Sequence, residues 1–332
     1  MAIGPANIIV RAPPPRLRRG RLCCALLLAL LPLSPPPTSG EVPGDGTAPA
    51  RRVVSLNPSL TAILLALGAA ETLVGVDDFS ARQQSIVAHL PRVGGLFNPS
   101  LEAMVELRPD LVVLVPGVEQ RNLRERLEVL NIPVESFGNI RFDQVLENIV
   151  RLGRLVGRQE AAARRTLAIR RTREAVERVA RLRWGRRRPP RTLLVLQRDP
   201  IFVVGRGSFL DEMLDVVGVQ NLADRFDEPY PRVDIEWIVA AGPEILIDVS
   251  PDEWEAREFW SRWPSLPAVA HDRVLRLDPD LLILPGPYLD RALEMLAASV
   301  HGSDFLPKGR GEGEGRKEGA VQPVGGAAGA LD

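Results

Sequence analysis

The sequence predicts an α/β protein of two similar lobes, each a parallel sheet covered by helices, joined by a long helical connector. Three observations carry that prediction. Short β-branched runs alternate with helical patterns between Arg52 and Phe137 and again after Arg191. A charged stretch from Phe142 to Trp184, helical in spacing, separates the two regions. One segment of the first region recurs in the second at a fixed offset. Strands alternating with helices imply parallel sheets, and a repeat this long, present twice, is a duplicated lobe and not a solenoid.

The elements follow in chain order. The amino terminus has the layout of a cleaved secretory signal, residues 1–40. Basic Arg16, Arg18, Arg19 and Arg21 precede an apolar run from Leu22 to Leu33, and Thr38-Ser39-Gly40 offers a small-residue cleavage site. The run is too short to span a bilayer comfortably. Both cysteines, Cys23 and Cys24, lie within the signal. The mature chain is therefore cysteine-free and rests on its apolar cores, not on disulfides. A flexible linker is expected over 41–51, the first lobe over 52–140, the bridging helix over 141–185, the second lobe over 186–302, and a Gly-rich disordered tail over 303–332.

In the first lobe, Val53 to Leu56 reads as a strand and Ser59 as the N-cap of a helix through Leu67. Leu73 to Val76 is the next strand. Ser100 opens a helix through Leu107, Pro109-Asp110 stops it, and Leu111 to Val115 is a buried strand. Glu119 to Leu130 is a helix and Val134 to Phe137 a strand. The connector carries Phe142, Val145, Leu146, Ile149, Leu152 and Val156 on one face, with Gly153 and Gly157 as expected interruptions. In the second lobe, strands are expected at Thr192 to Leu196, Ile201 to Val204 and Ile245 to Val249. Helices are expected at Phe209 to Val217, Asp234 to Ala241 and Tyr288 to Val300.

Composition narrows function. The chain has 332 residues, 45% apolar, with 42 basic and 42 acidic side chains. That balance gives no field that would favour nucleic acid. The arginines at 181, 183 and 186–188 lack interleaved aromatics apart from Trp184 and read as a solvated helix end. His89, His271 and His301 have no ligand spacing and read as surface or loop residues, so no metal site is expected. No nucleophile motif stands out, which argues against an enzyme. A cluster enzyme on a similar fold would need cysteines that the mature chain lacks. Gly205-Arg206-Gly207-Ser208 lacks the further Gly and Lys of a phosphate loop and reads as a turn and helix start.

The repeat is the most informative feature. Residues 100–113 match residues 234–247 without gaps at an offset of 134, the distance from Glu102 to Glu236. Each copy is a capped helix, a proline stop and a buried strand. Glu102 and Glu236 stand in the first helical turn, where an acid meets the helix dipole favourably. That accounts for either glutamate alone. Their recurrence at one position also suits recognition of a two-fold partner through paired arginines.

Arg52 to Ser59 (RVVSLNPS), Leu73 to Val76 (LVGV), Pro91 to Gly95 (PRVGG), the two repeat segments and the bridging helix together resemble the periplasmic cobalamin and iron-chelate binding proteins of ABC importers. The resemblance covers about Arg52 to His301. It implies two Rossmann-like lobes joined by one rigid helix, the class III periplasmic binding protein architecture, with a ligand held in the cleft between them. It implies a monomer that docks Glu102 and Glu236 on a dimeric permease driven by its ATPase. No cofactor is held covalently; the cargo is a metal-bearing macrocycle or chelate, with cobalamin first and haem or a ferric siderophore as alternatives. Matching positions place Phe79, Phe202 and Tyr230 against the ligand, with Leu96, Phe97, Arg206 and Asp280 completing the set. Tyr230 or His89 could serve as an axial ligand to a haem iron. The chain departs from the pattern at Leu96, the first-lobe equivalent of Tyr230, and at Leu284, which replaces a ligand-contacting arginine. A ligand sensor without transport is the competing role.

Overall fold

The computed structural model describes residues 48–95, 98–185, 187–251, 255–302 and Phe305. The expected signal, both cysteines, most of the linker, Leu96, Phe97 and all of the tail except Phe305 lie outside the described residues.

The first lobe runs β1 (Val53–Ser55), α1 (Pro58–Ala66), β2 (Leu73–Val76), α2 (Asp78–Gln83), α3 (Leu101–Glu106), β3 (Leu111–Leu114), α4 (Val118–Val129) and β4 (Val134–Ser136). The strands form one parallel sheet in the order β2-β1-β3-β4. β1 and β3 are buried along their whole length, as expected of strands covered on both faces. The helix after β1 starts differently from the sequence expectation. Asn57, not Ser59, is its N-cap: the Asn57 Oδ1 accepts from the Ser59 N–H at 2.9 Å, and Pro58 takes the first helical position, where its missing N–H costs nothing.

The connector is two helices, α5 (Phe142–Leu155) and α6 (Gln159–Trp184). Gly157 separates them at φ +68°, a backbone conformation that strains any side chain. Gly153, expected to interrupt, stays inside α5. At 1.5 Å per residue α6 is about 39 Å long. α5 packs on α1 of the first lobe, α6 packs on helices of the second, and the two pack on each other, so the connector belongs to both cores.

The second lobe runs β5 (Arg191–Arg198), β6 (Ile201–Val203), α7 (Phe209–Val217), β7 (Gln220–Asn221), α8 (Ile235–Ala241), β8 (Ile245–Asp248), α9 (Ala256–Trp260), α10 (Pro267–Ala270), β9 (Val274–Arg276), α11 (Pro279–Leu282) and α12 (Leu289–His301). Its sheet has the order β6-β5-β8-β9, with β7 also beside β5. The sheet is parallel except for β6, which returns antiparallel along β5 through the Asp199-Pro200 turn. A two-residue connection leaves no room for a crossover and forces that direction.

The repeat survives in three dimensions. α3 and α8 begin, and β3 and β8 begin and end, at the same offset of 134. Ser100 and Asp234 are matching N-caps, accepting from the Ala103 and Trp237 N–H groups. The duplication extends to side-chain hydrogen bonds. Asp110 accepts from the Arg51 and Arg52 N–H groups, both at 2.9 Å, and Glu244 accepts from the Arg191 N–H at 2.9 Å. In return, the Arg52 guanidinium donates to the Leu107 carbonyl that ends α3, and the Arg191 guanidinium donates to the Ala241 carbonyl that ends α8. In each lobe an acid after the proline stop receives the backbone where the first strand begins, and an arginine at that place caps the helix. Burial raises the Glu244 carboxyl, but the Arg191 N–H and the Arg188 guanidinium outweigh it and hold the pKa below the usual carboxylate range.

One apolar core runs through α1, α5, α6, α7 and α12 and takes one face of both sheets. Separate outer cores cover the opposite faces. Alternation divides β8 between them: Ile245 and Ile247 enter the shared core, Leu246 the outer one. His301, expected at the surface, is buried at the end of α12. Its Nε2 lies 2.7 Å from the Val217 carbonyl, and its ring stacks on Phe305 at 4.2 Å.

Candidate functional site

In open α/β sheets, ligands settle in the crevice outside the carboxyl ends of the parallel strands. In the first lobe that edge is held by a buried polar chain. The Thr61 hydroxyl donates to the Ser55 Oγ at 2.8 Å and meets the Ser80 Oγ at 2.9 Å, and the Ser80 hydroxyl donates to the Asp77 carboxylate. Asp77 is also the N-cap of α2, accepting from the Phe79 and Ser80 N–H groups at 2.9 and 3.0 Å. Burial pushes the Asp77 carboxyl up, against the hydrogen bonds that pull it down. This network fixes the backbone of Phe79 while its ring stays 43% exposed, with the Arg82 guanidinium 4.6 Å from the ring centre. The Asp78 N–H donates to the Gly94 carbonyl, which brings the Gly94-Gly95 segment, next before Leu96 and Phe97, alongside Phe79.

In the second lobe, residues 229–233 pair antiparallel with β6 and its extension. The Val203 N–H donates to the Pro231 carbonyl, the Gly205 N–H to the Pro229 carbonyl and the Val233 N–H to the Ile201 carbonyl, at 2.9 to 3.1 Å. A Cβ on Gly205 would fall 2.1 Å from the Glu228 carbonyl, so only glycine permits the pairing. Phe202 lies directly opposite Arg232, and Tyr230, two residues before it, shares that face. Tyr230 is 40% exposed, yet burial of its phenol pushes the pKa up, so the hydroxyl is protonated at neutral pH. Arg206 is exposed and pairs with Asp227 at 3.4 Å. Ser208 caps α7 by accepting from the Asp211 N–H, so Gly205 to Ser208 is a turn and helix start. The structure thus brings Phe202, Arg206 and Tyr230 into one corner of the second lobe. Phe79 stands on the first lobe, and Asp280 is exposed in the first turn of α11.

The two edges meet along one side. The Phe209 N–H, at the start of α7, donates to the Ile140 carbonyl beyond β4 at 2.6 Å, and Arg141 pairs with Glu212 at 3.2 Å.

Glu102 and Glu236 occupy the same place in the first turns of α3 and α8. Both are exposed, and neither forms an ion pair or hydrogen bond among the described residues. A groove of about 540 Å³ runs from Arg198 and the Asp199-Pro200 turn past Arg232 to Glu236.

Sequence reasoning missed a charged cluster at the ends of β5, β8 and β9. Asp248 is fully buried and accepts from the Arg198 Nε at 2.9 Å, the Trp260 Nε1 at 2.6 Å, and the Ser250 N–H and hydroxyl at 3.0 and 2.6 Å. The Arg276 Nη1 lies 3.6 Å from the same carboxylate. The signal stood one residue past the repeat: at the offset of 134, Asp248 replaces Leu114, an apolar residue that is also buried. His89 and His271 are exposed, and no group of three or more potential metal ligands occurs among the described residues.

Comparison with known proteins settles the class of this fold. The model of the family described as periplasmic binding protein matches residues 53–281. The chain belongs to that family. It is 25% identical over 249 residues to the vitamin B12-binding protein of Vibrio cholerae, covering 75% of this chain and 88% of the relative. It is 26% identical over 259 residues to an uncharacterized ABC transporter substrate-binding lipoprotein of Bacillus subtilis, covering 77% and 81%. Among solved structures it is similar to the periplasmic heme-binding protein of Roseiflexus, with a TM-score of 0.65 and 25% identity, covering 76% of this chain and 99% of that one. The architecture of two α/β lobes on a long helix is therefore that of class III periplasmic binding proteins, and the relatives are substrate-binding proteins. Among the described residues no helix is long and apolar enough to cross a membrane.

Proposed function

We propose that the protein is the periplasmic substrate-binding component of an ABC importer, which captures a corrinoid between its lobes and delivers it to a dimeric permease without catalysis. The observation that carries this reading is the pair Glu102 and Glu236. Two exposed carboxylates without intramolecular partners among the described residues stand at matching places on two similar lobes. An acid kept only for the helix dipole needs no match in the other lobe, whereas a two-fold partner with an arginine pocket on each subunit does. The exposed faces of Phe79 and Tyr230 suit a broad flat macrocycle, and Phe202, Leu96, Phe97, Arg206 and Asp280 complete the proposed lining. The chain is proposed to be exported through a leader over 1–40, cleaved, and to act as a monomer. A linker over 41–51, lobes over 52–140 and 186–302, a bridge over 141–185 and a tail over 303–332 make up the rest.

Haem is the second reading. The similarity to a heme-binding protein favours it, and Tyr230 offers a phenol that iron could claim only by displacing its proton. Titration with cyanocobalamin, haemin and ferric siderophores, followed by heat release and visible absorbance, tests both readings. Binding of none of them refutes the proposal. Reversing both charges, Glu102→Arg with Glu236→Arg, is expected to leave ligand affinity unchanged and abolish uptake by the assembled transporter. Loss of affinity instead would make the pair structural caps or ligand contacts.

A further inference from the structure

We infer that Arg276 is a specificity-determining contact for an anionic group, a carboxylate or phosphate, on the ligand. This deepens the function proposed above and rests on it. The duplication supplies the reasoning. Where the first lobe ends its third strand in a buried leucine, the second ends β8 in a fully buried aspartate. A buried ion pair is a poor device for stability alone, because desolvation consumes most of its Coulombic gain. An apolar residue at the same place serves the first lobe. The acid must therefore organise something.

Its surroundings indicate what. The Asp248 carboxylate accepts four hydrogen bonds, from Arg198, Trp260 and twice from Ser250. Arg276, the last residue of β9, is paired in register with Asp248. It approaches that saturated carboxylate only at 3.6 Å, beyond hydrogen-bond distance, and this is its one ion pair among the described residues. The guanidinium is oriented by Asp248, yet keeps its donors and stays 36% exposed at the carboxyl edge of the sheet. A planar donor fork held this way matches a carboxylate or phosphate through two parallel hydrogen bonds.

Two matched ligand pairs test the assignment and distinguish the sources of the anion. Haemin is compared with its dimethyl ester, which lacks free carboxylates, and cyanocobalamin with dicyanocobinamide, which lacks the phosphate together with its ribose and base. For the pair the wild type binds, Arg276→Gln is expected to weaken the anionic member roughly 10- to 100-fold, the loss of one charge-assisted contact. The member without the anion should bind the variant as it binds the wild type, and Arg276→Lys should recover part of the loss. Equal weakening of both members, or of neither, overturns the inference while leaving the proposed function intact. Failure of the wild type to bind any of the four overturns the inference, and the proposed function with it when ferric siderophores also fail to bind.

Discussion

Replacing Asp248 with leucine gives the second lobe the residue that the first carries at the matching place, and it should be severely destabilising. Asp248 has no exposed surface and Arg198 beside it is almost as deeply buried. The substitution removes the carboxylate from the Arg198 guanidinium and takes the acceptor from the Trp260 Nε1, the Ser250 N–H and the Ser250 hydroxyl together. Breaking a buried pair by deleting one partner costs about 3–5 kcal/mol, since the surviving charge keeps its desolvation penalty. At roughly 2–4 °C per kcal/mol for a chain of this size, Tm should fall by about 6–20 °C. Asp248→Asn keeps the shape and one acceptor oxygen and should lose about 1.5–3 kcal/mol. Urea unfolding followed by tryptophan fluorescence suits the measurement, because all five tryptophans, Trp184 to Trp263, lie at or beyond the end of α6. Circular dichroism on the same samples checks that one transition is being followed. A loss below about 1 kcal/mol for the leucine variant, or an asparagine variant as stable as the wild type, would refute the claim that the charge is what the site requires.

Three further outcomes are expected. Tyr230→Ala should weaken ligand binding roughly 10- to 100-fold by removing one aromatic face, with the melting temperature close to wild type; calorimetric titration and a thermal melt check both. Arg108 holds φ +45° at the position where the second lobe has Gly242 at φ +56°. Because left-handed backbone costs a non-glycine residue about 1 kcal/mol, Arg108→Gly should stabilise by about that amount in a urea melt, and a destabilised variant would show that the side chain supplies contacts of its own. Burial lowers the His301 pKa below its ordinary 6.5, so the unfolded chain takes up a proton that the folded one resists. Stability should therefore fall as pH drops below about 6.5, and His301→Gln should flatten that part of the Tm–pH curve.

Much of the architecture was legible in the residues. Val53-Val54, Leu111 to Leu114 and Ile245 to Ile247 are apolar without alternation because helices cover both faces of each sheet. Ser100 and Asp234 mark helix starts, and Gly157 marks the break in the connector, because capping and positive φ act within a few residues. Asn57 and Ser59, two places apart, both have the chemistry of a cap, and only the backbone conformation at Asn57 separates them. The short helices α2, α9 and α10 carry too few turns to show a period.

The sequence by itself determined that the chain is two copies of one α/β design on a helical connector, because a duplication leaves its spacing in the order of residues. Tertiary structure alone decided which side chains far apart in the chain share an edge. Arg198, Asp248 and Arg276 come from three strands, and Arg52 caps a helix that ends more than fifty residues later. No local propensity records such meetings. They depend on strand register, fixed by burying one continuous core between the lobes.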